Sequence, residues 1–81
     1  SSLTIQRQVK LFPGIVSDSF TLDFDSNVDK VLIYNSNGVL VDSKNSPESP
    51  YNYDVKNYTR GMYLVITIAD NQITRNYFLK K

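Results

Sequence analysis

The chain contains no cysteine and no histidine. The first absence rules out disulfide staples. The two together remove the usual ligands of a zinc site, so the fold must be held by packing and strand pairing alone. A dominant charge is also missing: nine Lys and Arg stand against eight Asp and Glu, for a net +1. No basic block is long enough to neutralise a run of phosphates, which argues against nucleic acid as a partner. No apolar run approaches the roughly 20 residues that carry a helix through a bilayer, and the N-terminus lacks the charged-then-apolar order of a leader. Membrane insertion by the chain itself is therefore not expected.

Catalysis needs a nucleophile with a base, a metal, or paired carboxylates. The remaining serines, lysines and aspartates form no such constellation, so no catalytic residue, metal or cofactor is expected. Asp23, Asp25, Asn27 and Asp29 do alternate like the opening of a calcium loop. The sixth position of that loop is Val28 rather than glycine and the twelfth is Tyr34 rather than glutamate, so the stretch reads as a polar turn.

A chain of 81 residues makes one domain with a thin core. It opens on Ser1-Ser2 without an initiator methionine, as a piece of a larger polypeptide would. Short segments of alternating polarity, separated by turn residues, predict an all-β fold: a small immunoglobulin-like β-sandwich of about seven antiparallel strands. Leu3, Ile5, Val9 and Leu11 alternate with polar neighbours until Pro13-Gly14 breaks the first strand. Phe20, Leu22 and Phe24 mark one face of the second and are expected to anchor the core. Asp25-Ser26-Asn27 and Asp70-Asn71 read as turns, and Lys44 to Pro50 as the longest irregular, mobile stretch. Tyr63 to Ile68 is apolar on both faces, as a strand central to a sandwich would be, and Ile73 to Lys81 makes the terminal strand.

Asn35-Ser36-Asn37-Gly38 joins two strands in one of two registers. A two-residue turn at Asn37-Gly38 would pair Ile33 with Asp42. A type I turn at Ser36-Asn37 with a left-handed Gly38 would pair Ile33 with Val41 and Tyr34 with Leu40, and this bulged form is the one expected because apolar residues then meet. Of the six tyrosines, Tyr34, Tyr53 and Tyr63 fall in apolar alternation and read as core or sheet-face residues. Tyr51, Tyr58 and Tyr77 remain as surface candidates for stacking on a ligand.

Taken in order, Phe12-Pro13 with Asp18, Ile33-Tyr34-Asn35 with Gly38, Gly61-x-Tyr63 and the closing Leu79-Lys80-Lys81 resemble the type A C-terminal sorting domain of the type IX secretion system. Gly14-Ile15 stand where that family has Asn-Pro, and Tyr58 where leucine is common. The resemblance implies a linker and strand start over residues 1–8 and a sorting domain over 9–81. It also implies that the domain ends a larger secreted protein and directs it through the periplasm to the cell surface or the medium. The implied partners are an outer-membrane translocon, its shuttle protein and a cell-surface sortase.

On this reading Gly61, Tyr63, Leu79, Lys80 and Lys81 are recognition candidates, with the two lysines as a cationic tip. Pro13, Asp18, Tyr34, Asn35 and Gly38 are structural motif residues. An open edge strand would also allow pairing with a second copy. The alternatives are an adhesive or glycan-binding immunoglobulin-like module, and an uncleaved domain that docks its parent on the export machinery.

Overall fold

The computed structural model describes residues 9–24, 27–69 and 72–81. Leu3, Ile5 and the turn residues Asp25-Ser26 and Asp70-Asn71 lie outside that set. The described elements are all strands: β1 (Val9–Phe12), β2 (Ile15–Val16), β3 (Ser19–Phe24), β4 (Lys30–Asn35), β5 (Leu40–Asn45), β6 (Tyr51–Asp54), β7 (Gly61–Ala69) and β8 (Gln72–Lys80). They form a three-stranded sheet in the order β1-β3-β6 and a five-stranded sheet in the order β2-β8-β7-β4-β5, packed as a β-sandwich.

The structure bears out the expected small β-sandwich of about seven strands and departs from all-antiparallel pairing in one place. Eight strands stand among the described residues, and β2 pairs with β8 in parallel. Pro13-Gly14 ends β1 in one sheet and lets the chain cross to the other. There Leu79 N–H donates to Gly14 O and Lys81 N–H to Val16 O, each at 2.9 Å. A two-residue strand is too short to show as alternation.

Period-two patterning fixes which side chains enter the core. Phe20, Leu22 and Phe24 are buried from β3, Val31 and Ile33 from β4, and Tyr63 and Val65 from β7. Tyr53, Val55 and Phe78, with Val16, Val28 and Ala69, complete the hydrophobic interior. A chain of ring contacts crosses it from Tyr58 to Tyr63, Phe78, Phe20, Tyr53 and Tyr51, with successive centroids between 4.7 and 5.3 Å apart. Tyr51 and Tyr58, expected on the surface, are therefore half-buried against the core, and only Tyr77 of that trio is exposed.

The β4–β5 hairpin combines features of both expected registers. Gly38 is left-handed at φ 79° and Tyr34 pairs with Leu40, as the bulged form requires. Ile33, however, pairs with Asp42, not Val41, because the register shifts between Ile33 and Tyr34 and skips Val41 of β5. The irregular segment also starts later than expected, since β5 runs to Asn45. Ser49 Oγ accepts from Phe24 N–H at 2.9 Å and donates to Asp23 Oδ1 at 3.1 Å, which ties this segment to β3.

Candidate recognition surface

The motif residues are far apart in sequence, yet strand register gathers most of them at one end of the five-stranded sheet. Gly61 pairs with Lys80, and Asn35 pairs with Tyr63, whose partner on the other side is Phe78. The Asn35–Gly38 turn therefore projects past Tyr63 toward the Gly61 end. β2 runs parallel to β8 with Val16 opposite Lys80, so Asp18, just after β2, lies toward the same end, whereas Pro13-Gly14 precede Ile15 and lie on its other side.

Local chemistry explains most of these residues as architecture. Asn35 Oδ1 accepts from Asn37 N–H at 2.9 Å and from Val39 N–H at 3.0 Å, while Asn35 O accepts from Gly38 N–H at 3.0 Å. A side-chain amide thus satisfies the turn's own backbone, the usual service of asparagine in a turn. Gly38 supplies the positive φ that the turn needs. Gly61 has φ 142°, and a Cβ built there meets no atom within 4 Å, so backbone conformation and not space selects glycine. Asp18 is exposed, and its carbonyl accepts from Val55 N–H at 2.8 Å. Pro13 is exposed between β1 and β2. Tyr63 is buried and donates from its hydroxyl to Thr59 O at 2.7 Å.

The cationic tip divides into two different residues. Lys80 shares the inward face with Phe78 and is only 7% exposed, with Nζ donating to Lys81 O at 3.1 Å. Lys81 is exposed, although its backbone is held by Val16. Of the two lysines, Lys81 is therefore the one exposed at this tip.

Two phenols are perturbed. The Tyr58 hydroxyl donates to Asp42 Oδ2 at 3.2 Å; burial, followed by the Asp42 charge, pushes its pKa well above the ordinary tyrosine value. Tyr53 is raised in the same direction, again by burial first and Asp42 second. Both effects favour the neutral phenol. In the stretch with calcium-loop spacing, Asp23 accepts from Ser49, and Asp25 lies outside the described residues.

One feature escaped sequence reasoning. β7 is central in its sheet, but the sandwich covers only one of its faces. Tyr63, Val65, Thr67 and Ala69 point into the core, while Met62, Leu64, Ile66 and Ile68 point away from it. The register continues this outer face across the sheet. Tyr77, Leu64, Tyr34 and Leu40 form one row, flanked by Leu79 with Met62 on one side. Arg75, Ile66 and Leu32 form the next, followed by Ile73, Ile68 and Lys30. The apolar run on both faces of β7 was the available signal. It reads as full burial only when a second layer is assumed on each side.

The profile of the secretion system C-terminal sorting domain family matches residues 10–81. No curated protein matches the chain.

Proposed function

The chain belongs to the family of type IX secretion C-terminal sorting domains, and on that premise we propose that it is read by the export machinery at the end of the sheet where Gly61, the Asn35–Gly38 turn and Lys81 converge. The attached protein would pass the periplasm, cross the outer membrane, and reach the surface or the medium. A cell-surface sortase then removes the domain. The observation that carries this reading is that register brings the Asn35–Gly38 turn, Gly61, Tyr63 and the closing Lys80-Lys81 to one end of the sheet. Most of those residues shape the end, and Leu79 and Lys81 are the side chains it offers to a partner.

A cation beside a folded strand end fits capture by an acidic surface, where charge acts more on encounter rate than on final affinity. The test is a periplasmic reporter fused ahead of the domain, followed in cells with and without the translocon. Secretion should require the translocon, and Lys81→Glu should slow it while leaving the thermal midpoint unchanged. Deleting both lysines is a poorer experiment, because it also removes the Lys81 to Val16 backbone bond and a buried Lys80 stem. Equal secretion of wild type and Lys81→Glu would remove Lys81 from recognition. Equal secretion with and without the translocon would overturn the function.

A further inference from the structure

We propose that the outer face of the five-stranded sheet is a docking surface for a protein partner bearing apolar anchor side chains and at least one carboxylate, an inference that rests on the export reading and names the surface used. The face has a contiguous apolar centre, Met62, Leu64, Ile66 and Leu32 with Tyr34 and Tyr77, which a monomer's surface seldom shows. Leu64 and Ile66 floor a groove of about 370 Å³ that is lined also by Tyr34 and Tyr77 and bounded by the Asn35–Gly38 turn. Tyr77 is 59% exposed and Ile73 55%. Strands advance about 3.3 Å per residue and neighbours lie about 4.8 Å apart, so the four rows across β8, β7 and β4 cover roughly 400 Å², while Ser43 and Asn45, opposite Leu32 and Lys30, make the β5 side polar beyond Leu40. A standard interface takes about 800 Å² from each partner. This face can therefore form the apolar centre of such an interface, with a polar rim around it.

Charge decides the kind of occupant. The rows hold Arg75 and Lys30, and among the described residues they hold no carboxylate. Asp42 pairs with Ile33 and belongs to the inward face, where Tyr58 engages it. A second copy laid on this face would bring two more cations into an apolar contact with no anion to meet them, which disfavours self-association there. A flat anionic lipid surface would gain about 1 kcal/mol for each cation and would leave a side-chain-sized groove empty. A protein with an apolar side chain for the groove and a carboxylate over Arg75 satisfies both features.

The test uses the full chain and the purified outer-membrane components of the type IX machinery in detergent, with binding measured for wild type, Arg75→Glu, Tyr77→Ser and Lys81→Glu. Arg75 and Tyr77 are exposed, so thermal midpoints should match wild type. Arg75→Glu and Tyr77→Ser should each weaken binding about tenfold, and added salt should erode the wild-type advantage over Arg75→Glu. Undiminished binding in these two variants beside a loss in Lys81→Glu would overturn the docking face and leave the export function standing. No binding by wild type would overturn both. Sedimentation showing a concentration-dependent dimer that Tyr77→Ser abolishes would assign the face to a second copy instead. Flotation with phosphatidylglycerol vesicles that is lost in Arg75→Glu, with no binding to the purified proteins, would assign it to lipid. Either result overturns the proposal.

Discussion

Tyr63 and Phe78 are cross-strand partners on β7 and β8 whose rings lie 5.1 Å apart and only 9° from parallel. Phe78 in turn meets Phe20 at 4.7 Å, so this pair joins the closing hairpin to the opposite sheet. The Tyr63 hydroxyl adds a bond to Thr59 O. Tyr63→Phe keeps the stack and removes that bond, which should cost about 1 kcal/mol of unfolding free energy. Tyr63→Ala should cost about 3–5 kcal/mol, since it opens a cavity in the core. Urea unfolding with secretion measured in parallel checks both. Secretion lost in Tyr63→Phe beyond its small change in stability would mean that the hydroxyl touches the export machinery directly.

The Asn35–Gly38 turn should separate side-chain service from backbone conformation. Asn35→Ala removes the acceptor for two backbone N–H groups and is expected to cost about 1–2 kcal/mol. Gly38→Asn should be nearly neutral, because asparagine tolerates a left-handed backbone. Gly38→Val should be destabilising, as a β-branched residue is a poor fit to φ 79°. A Gly38→Val protein with the wild-type urea midpoint would contradict this account of the turn.

Stability should decline at alkaline pH. In the unfolded chain a phenol ionises near about pH 10. In the folded protein Tyr53 and Tyr58 hold their protons to higher pH, because burial and then the Asp42 charge oppose ionisation. The folded-state preference for neutral tyrosine is fully present below that unfolded value. Above it the unfolded state loses protons that the folded state retains, and stability falls with rising pH. Urea midpoints measured from about pH 8 to about pH 11 should therefore drop across the upper part of that range, and Tyr58→Phe should flatten part of the slope. Identical slopes for wild type and Tyr58→Phe would exclude Tyr58 as a contributor.

Thr67 sits on the inward face of β7, 2% exposed, with no hydrogen-bond partner for Oγ1 among the described residues. A buried hydroxyl without a partner costs about 1–3 kcal/mol in lost hydration. Thr67→Val replaces it with a methyl of similar shape and should raise the thermal midpoint. A lowered midpoint would show that the hydroxyl is satisfied in solution.

Much of the fold was legible in the residues. Phe20, Leu22 and Phe24 alternate cleanly enough for the pattern alone to name the buried face of β3. Gly38 announces a left-handed turn. The order of short motifs from Phe12-Pro13 to Lys81 points to the family that the profile match establishes. The pairing of Ile33 was not legible, because the extra residue in β5 leaves no mark in a stretch that is exposed throughout. Nor was the burial of Tyr51 and Tyr58, which comes from packing against the core of the sandwich.

Sequence alone determined where most of the longer strands run, where the clearest turns fall and which residues of those strands share a face, because side chains alternate every second residue and only certain residues accept turn geometry. Tertiary structure alone decided what each face meets. It turned Lys80 inward while leaving Lys81 outside, laid β2 beside β8, and left the outer face of β7 without a covering layer. The physical reason is that alternation specifies two sides of a strand, whereas burial depends on which other parts of the chain, or of a partner, arrive to cover them.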